Sequence, residues 1–120
     1  MKTILVVDDD KLNLNSAMKI LSPAYKVVPM TSGKTALSYL SKNIPDLILL
    51  DILMPEMDGF EVMKEIRANQ AWADIPVIFL TGDVSPQTCA KGGALGVTGF
   101  MAKPLEAERM ISGIEAVIGK

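Results

Sequence analysis

An alternation of short apolar runs with longer amphipathic segments constrains the fold of this chain more than any other feature. Runs rich in Val, Ile and Leu predict five strands, at residues 4–7, 27–28, 47–50, 77–80 and 97–102. Between and after them, apolar residues spaced by three and four predict five helices. Strands that are apolar on both faces and alternate with helices are typical of a parallel sheet covered on both sides. The sequence therefore predicts a doubly wound α/β domain.

Residues that favour helix starts support these boundaries. Ser32 precedes the second helix, Asp58 and Glu61 have the spacing of a capping box at the third, and Ser85 with Pro86 opens the fourth.

The fourth helix is the weakest of the five predictions. Gly92 and Gly93 fall inside it, and each costs about 1 kcal/mol relative to Ala in a helix interior. We therefore expect this segment to be mobile, and Gly82 to loosen the loop that precedes it.

Composition narrows the class of protein. The 120 residues predict one domain over 1–120, and a formal net charge of -2 disfavours direct binding to nucleic acid. With one Cys and no His, these residues can form neither an internal disulfide nor the usual set of zinc ligands. With no apolar segment long enough for a signal peptide or a membrane span, we expect a cytoplasmic protein.

Polar residues stand where the predicted strands end. They are Asp8 and Asp9 after the first strand, Asp51 after the third, Thr81 after the fourth and Lys103 after the fifth. In open parallel sheets the functional crevice lies beyond these carboxyl ends. Two like charges about 4 Å apart cost on the order of 4 kcal/mol at an effective dielectric near 20, so converging carboxylates require a cation. The sequence predicts a Mg²⁺ site there, with Lys103 as a second positive charge.

These residue types suit phosphoryl transfer, in which catalysis is mainly positioning and neutralisation of charge. Without histidine, the chemistry must rest on carboxylates. An oxygen of Asp51 would be the nucleophile and would form an acyl phosphate.

Four motifs carry a resemblance to a known family. Residues 6–10 read VVDDD, 49–59 read LLDILMPEMDG, 76–81 read PVIFLT and 99–104 read GFMAKP. Together they resemble the receiver domain of response regulators in two-component signalling, over essentially the whole chain. The resemblance implies a five-stranded sheet of order 2-1-3-4-5 in a single receiver domain, with no effector domain in these residues.

The resemblance also implies roles for individual residues. Asp51 matches the phosphoacceptor, and Asp8 and Asp9 match the acidic pair that holds Mg²⁺, or Mn²⁺ in its place, together with Asp51 itself and the backbone carbonyl of Leu53. Thr81 and Lys103 match the hydroxyl and the lysine that contact the phosphoryl group.

Further implications concern the signal. Phe100 matches the switch aromatic, which acts with Thr81, and the bond between Lys103 and Pro104 matches one that is usually cis. The implied donor is a phosphohistidine on a sensor histidine kinase or a histidine phosphotransfer protein. The implied output is a changed affinity of the face formed by the fourth helix, fifth strand and fifth helix, toward a downstream protein or an effector domain outside these residues. A phosphorylation-dependent dimer is also compatible with the resemblance.

Other interpretations remain open at this point. A phosphohydrolase that forms an aspartyl phosphate usually has a second Asp where this chain has Leu53. A flavodoxin-like cofactor binder would have a Gly-, Ser- and Thr-rich loop after the first strand, and a receiver used only as an interaction module would lack a site residue. Asp10 is assigned to helix capping or to solvent. The resemblance implies that the side chains of Leu53 and Asp83 flank the attacking water, and apolar Leu53 then predicts slow to moderate hydrolysis.

Overall fold

The computed structural model describes residues 1–83 and 85–119. Within them, five strands and five helices alternate, as predicted. The strands are β1 (Thr3–Val7), β2 (Lys26–Met30), β3 (Leu47–Asp51), β4 (Val77–Thr81) and β5 (Gly99–Ala102). The helices are α1 (Lys11–Leu21), α2 (Gly33–Leu40), α3 (Gly59–Ala68), α4 (Pro86–Ala94) and α5 (Ala107–Ile118).

The strands form one parallel sheet in the order β2-β1-β3-β4-β5. The predicted doubly wound fold and its strand order are confirmed. From β1 the chain first moves outward to β2 and then returns to β3 on the other side, so the strand order reverses between β1 and β3. A crevice beyond the carboxyl ends of these two strands is therefore expected.

The core lies on both faces of the sheet, and every residue of β3 and β4 is buried. On one face Leu50 and Phe79 pack with apolar residues of α2 and α3. On the other face Leu49 and Leu80 pack with residues of α1 and α5. This two-sided burial explains why the central strands read as continuous apolar runs.

The fifth strand is shorter than the predicted span of 97–102 and begins at Gly99. The amide of Val97 donates to the carbonyl of Gly92 at 3.2 Å and so closes the end of α4. The amide of Thr98 donates to Val77 at 2.7 Å, just before the β5 ladder begins. The prediction was wrong here because apolar residues that terminate a helix are indistinguishable in sequence from those of the adjoining strand.

The predicted helix starts are confirmed. Ser32 caps α2 and Ser85 caps α4, each through a side-chain oxygen that accepts a backbone N–H three residues on. At α3, Asp58 accepts from the amide of Glu61 at 2.9 Å, and Glu61 accepts from the amide of Asp58 at 3.1 Å. These reciprocal bonds form a capping box.

Arg67 of α3 ties two loops to the amino end of the sheet. Its guanidinium donates to the carbonyls of Ala73 at 2.9 Å, Ile75 at 3.0 Å and Gly96 at 2.9 Å. Gly96 follows α4 and has a positive φ of 83°, a conformation that favours glycine. The carboxyl end of α4 is therefore fastened to α3.

The longest of these helices, α5, has 12 residues. A membrane span requires about 20 predominantly apolar residues. Within the described part of the chain, none of the helices combines the length and apolarity needed to cross a bilayer.

Candidate functional site

One cavity of about 300 Å³ at the carboxyl end of the sheet collects the polar residues named from the strand ends. Asp8 and Asp9 follow β1, Asp51 and Thr81 are the last residues of β3 and β4, and Lys103 follows β5. The lining comprises Asp8, Asp9, Asp10, Asn13, Asp51, Leu53, Thr81, Gly82 and Lys103. The fold thus brings together six of the seven predicted site residues, and Phe100 lies elsewhere.

An ion pair joins the two sides of the cavity. Nζ of Lys103 donates to Oδ1 of Asp51 at 3.0 Å and lies 3.0 Å from Oδ2 of Asp8. The amide of Lys103 donates to the carbonyl of Thr81 at 2.9 Å, and the peptide bond to Pro104 is cis, as the resemblance implies. Because a buried carboxylate requires a partner, Lys103 accounts for the burial of Asp51, which is 4% exposed.

The amino end of α3 approaches the backbone of Asp51 very closely. The amide of Gly59 donates to the carbonyl of Ile52 at 2.7 Å. A Cβ atom at Gly59 would lie 2.5 Å from the carbonyl oxygen of Asp51 and 2.7 Å from Cα of Ile52. Only glycine allows this contact, which fixes the position of Asp51 against α3.

Asp8 is fully buried and has spare capacity as an acceptor. Its Oδ1 accepts from the amide of Asp10 at 2.9 Å, whereas Oδ2 faces Lys103 without receiving a hydrogen bond of good geometry. Asp10 accepts from the amide of Leu12 at 2.9 Å and caps α1, as predicted. All three consecutive aspartates therefore line the cavity, and Asp10 also caps α1.

The carboxylates of Asp8, Asp9 and Asp51 fit a hard divalent cation. Each offers an oxygen, and these oxygens lie within 4.8 Å of one another. Among the described residues that line the cavity, Lys103 is the one cation, whereas Asp10 adds a fourth carboxylate to these three. An all-oxygen donor set with an unsatisfied buried oxygen is what Mg²⁺ or Mn²⁺ prefers.

Burial and charge shift the titration of the central pair. Burial raises the pKa of Asp51 to about 6; the hydrogen bond from Lys103 opposes this shift, and the negative charge of Asp8 adds to it. Burial alone would lower the pKa of Lys103, but its bonds to Asp51 and Asp8 outweigh burial and raise it. Lys103 is therefore a fixed positive charge, available to a negatively charged group held on Asp51.

The hydroxyl of Thr81 is engaged with the next loop. It donates to the carbonyl of Asp83 at 3.0 Å and accepts from the amide of Asp83 at 2.9 Å. The carboxylate of Asp83 accepts from the amide of Ser85 and the hydroxyl of Thr88, so it faces α4. This differs from the expectation that the Asp83 side chain flanks an attacking water, because the cap of α4 offers it two donors.

Phe100 lies away from the cavity, in an aromatic cluster between the sheet and α4. Its ring packs edge-on against Phe79 with centroids 5.9 Å apart, and Phe79 packs against Phe60 at 5.5 Å. Nζ of Lys91 in α4 lies 4.2 Å from the centroid of Phe60. A Cβ atom at Gly92 would meet Cζ of Phe100 at 2.6 Å, so Phe100 is seated directly on α4.

Sequence reasoning missed some of the residues around the site. Asn13 and Gly82 line the cavity, and Thr88 contacts Asp83. Asn13 and Gly82 had an available signal, since each lies within a few residues of a strand end that was identified. Thr88 had none, because its contact depends on how the loop before α4 folds back.

Comparison with known proteins identifies the family. A family model described as the response regulator receiver domain matches residues 4–115. The chain is 43% identical over 103 residues to a probable cyclic di-GMP phosphodiesterase from Vibrio cholerae serotype O1, which covers 86% of this chain. The chain spans 23% of the length of that relative.

Solved structures of similar proteins have the same fold. The chemotaxis protein CheY4 of Vibrio cholerae superposes with a TM-score of 0.93 at 31% identity, covering 98% of each chain. The receiver domain of the sensor histidine kinase PA1611 from Pseudomonas aeruginosa PAO1 superposes with a TM-score of 0.89 at 27% identity, covering 99% of this chain and 98% of its own. That structure has a magnesium ion coordinated in its active site cleft.

Proposed function

The chain belongs to the response regulator receiver domain family, and on that premise we propose that Asp51 accepts a phosphoryl group and later loses it. The domain then works as a phosphorylation-dependent signalling switch. The observation that carries this proposal is the convergence of Asp51, Asp8, Asp9, Thr81 and Lys103 on one cavity, with Lys103 3.0 Å from Asp51.

The phosphoryl donor is a phosphohistidine that lies outside these 120 residues, because they contain no histidine. An oxygen of Asp51 bonds to phosphorus as the P–N bond of the donor breaks, and the electron pair of that bond remains on the imidazole nitrogen. A sensor histidine kinase or a histidine phosphotransfer protein fits this role. Such donors are partners of the family to which the chain belongs.

The residues of the cavity supply, in different ways, the positive charge and the hydrogen bond that phosphoryl transfer requires. Asp8, Asp9, Asp51 and the backbone carbonyl of Leu53 would hold Mg²⁺, or Mn²⁺ in its place. When bound, the metal supplies positive charge to the phosphoryl oxygens. Lys103 supplies a further positive charge, and the hydroxyl of Thr81 donates a hydrogen bond once it turns from Asp83.

Return to the resting state is hydrolysis of the acyl phosphate. Water attacks phosphorus, the bond to the Asp51 oxygen breaks, and inorganic phosphate leaves the regenerated carboxylate. The domain acts only on itself in these steps. The phosphodiesterase named in the relative is not proposed for this chain, which spans 23% of that protein.

The output is a change of conformation in a single domain over residues 1–120, which we place in the cytoplasm. Bonding of Thr81 and Lys103 to the phosphoryl group shifts a pre-existing equilibrium that includes the ring of Phe100. The face formed by α4, β5 and α5 then changes its affinity for a downstream protein, a separate effector domain or a second copy of the chain.

Mass spectrometry after incubation with acetyl phosphate and Mg²⁺ tests the assignment. We expect one phosphoryl adduct on the parent, none on Asp51→Asn, and an undiminished adduct on Asp74→Asn, which removes an exposed carboxylate just before β4, at the opposite end of that strand from Thr81 and the cavity. An adduct that persists in Asp51→Asn, or no adduct on the parent, would refute the role of Asp51.

The lifetime of the phosphorylated state gives a first quantitative prediction. Leu53 is 78% exposed at the rim of the cavity and has no group that can orient water. We expect Leu53→Asn to lose its phosphoryl group about two- to tenfold faster, the value of one net hydrogen bond to the attacking water. The control is Leu12→Asn, which changes a leucine that is also exposed, and equal decay rates in the two variants would contradict the prediction.

A further inference from the structure

The single proton of the Thr81 hydroxyl is already committed in this structure. The hydroxyl donates it to the carbonyl of Asp83 at 3.0 Å and accepts from the amide of Asp83 at 2.9 Å. A hydroxyl has one proton to donate. Donation to a phosphoryl oxygen on Asp51 therefore requires that the bond to Asp83 break.

The side chain of the same residue is bound to α4. Oδ1 of Asp83 accepts from the amide of Ser85 at 2.9 Å, and Oδ2 accepts from the hydroxyl of Thr88 at 2.8 Å. Ser85 is the N-cap of α4 and Thr88 lies in its first turn. The amide of Ser85, followed by the hydroxyl of Thr88, holds the pKa of the Asp83 carboxyl below its ordinary value. Asp83 thus contacts Thr81 through its backbone and the helix through its carboxylate.

We propose that Asp83 is a positioning residue that couples the hydroxyl of Thr81 to the first turn of α4. This inference rests on the proposed function, in which Thr81 turns toward a phosphoryl group on Asp51. In the resting state the backbone of Asp83 holds the hydroxyl in the loop. When the hydroxyl turns, the backbone of Asp83 loses its bonds to Thr81 and the loop shifts. Because the Asp83 carboxylate stays bonded to Ser85 and Thr88, this shift of the loop passes to α4.

The amino end of α2 shows what a cap without this link looks like. Ser32 and Thr35 repeat the spacing of Ser85 and Thr88, with the Ser hydroxyl accepting from the Thr amide at 3.2 Å in α2 and 3.3 Å in α4. In α2 the Thr35 hydroxyl donates to the carbonyl of Ser32 at 3.0 Å, within the cap itself. In α4 the corresponding hydroxyl reaches Asp83 instead. The pair therefore provides a matched control within one chain.

The experiment compares amide NMR spectra with and without beryllofluoride and Mg²⁺, for the parent, Thr88→Val and Thr35→Val. In the parent we expect shifts both at Asp83 and along α4 at Lys91 and Gly92. In Thr88→Val we expect the shift at Asp83 to persist, while the shifts in α4 fall about twofold or more, because one net hydrogen bond of the link is gone. Thr35→Val should respond like the parent.

Two substitutions at Asp83 distinguish the effect of where its side chain forms hydrogen bonds from the effect of its negative charge. Asp83→Ala removes both carboxylate acceptors, so the loop holds Thr81 less firmly. We expect weaker NMR shifts in α4. We also expect phosphorylation to be about two- to tenfold faster, because one hydrogen bond to Thr81 is loosened. Asp83→Asn keeps an acceptor for Ser85 and a polar group opposite Thr88, and should retain most of the response in α4. If Asp83→Asn loses as much as Asp83→Ala, the coupling by position is wrong.

The outcomes distinguish this inference from the proposed function. A parent protein without a phosphoryl adduct on Asp51 would refute the function. A parent that forms the adduct, together with a Thr88→Val variant whose α4 shifts match those of Thr35→Val, would leave the function intact and overturn the coupling.

Discussion

Helices α3 and α4 begin on neighbouring sides of the same cavity but are built differently. Helix α3 starts with a capping box and is fixed by four buried residues, which are Gly59, Val62, Met63 and Ile66. Helix α4 starts with a Ser cap and a Pro, and Gly92 is its one buried residue among those described. Since apolar burial dominates stability, α3 is bound to the sheet by side chains and α4 mainly by its ends.

This difference matches what each helix is needed for. Helix α3 contacts the backbone of Asp51 through Gly59, so movement there would displace the proposed phosphoacceptor. Helix α4 is linked to Thr81 by the hydrogen bonds of Asp83, and its Gly92 packs against Phe100. Regions that move in signalling are drawn from the less stable parts of a fold. In the proposed switch, the helix that fixes the acceptor is therefore packed firmly against the sheet, and the helix that would transmit the signal is packed less firmly.

The largest effect is expected from the core of α3. Ile66 is fully buried, so Ile66→Ala should lower the free energy of unfolding by about 2–5 kcal/mol through lost burial and a residual cavity. Urea denaturation followed by circular dichroism measures this. A loss no larger than that of a substitution in α4 would break the comparison.

The substitution Gly92→Ala is expected to have the next largest effect. The added Cβ atom would lie 2.6 Å from Cζ of Phe100 and 3.2 Å from Cδ2 of Phe79. Overpacking costs about 1–3 kcal/mol, whereas Ala in place of Gly returns about 1 kcal/mol in a helix, so we expect a small net loss of stability. Because a ring tip yields more easily than backbone, Phe100 should rotate outward. Aromatic NMR detects this rotation, and an unchanged Phe100 ring would contradict the tight seat.

Much of the fold could be predicted because local and global signals agree. The buried runs of β3 and β4 and the caps at Ser32, Asp58 and Ser85 each appear in the sequence within one element. The start of β5 could not be predicted, since Val97 is apolar in either role and its amide completes α4.

The candidate site also has a part that the sequence predicts and a part that it does not predict. The positions of Asp8, Asp51 and Lys103 follow from strand ends meeting at one edge of a parallel sheet. The orientation of the Thr81 hydroxyl and the Asp83 carboxylate depends on competition among nearby donors in a folded loop. Such competition leaves no periodic signal in the sequence.

Gly93 offers the matched control for Gly92, with a smaller effect of opposite sign. It is an exposed glycine in the same helix, and a Cβ atom there would meet no other atom within 4 Å. Gly93→Ala should therefore stabilise α4 by up to about 1 kcal/mol. Hydrogen exchange of α4 amides should slow toward the rates in α3. Exchange that is already as slow in the parent as in α3 would contradict the contrast between the helices.

The smallest effect concerns pH. The amide of Ser85 and then the hydroxyl of Thr88 hold the pKa of Asp83 below its ordinary value of 3.8. The ionised carboxylate therefore favours the folded state above that value, and this contribution is lost as pH falls through the lowered pKa. An NMR titration should show the amide of Thr88 changing in that acidic range, and the change should vanish in Asp83→Asn. A Thr88 titration that survives in Asp83→Asn would assign it to another group.

The three hydrogen bonds of Arg67 have a mechanical consequence for α4. By holding the carbonyl of Gly96, the guanidinium provides a pivot just beyond the carboxyl end of a nine-residue helix. At a rise of about 1.5 Å per residue, the opposite end lies about 13 Å away, where Ser85 and Thr88 bond the carboxylate of Asp83. We expect α4 to rotate about this fixed carboxyl end. A turn of the Thr81 hydroxyl would then tilt α4 and the surface that α4 forms next to Phe100.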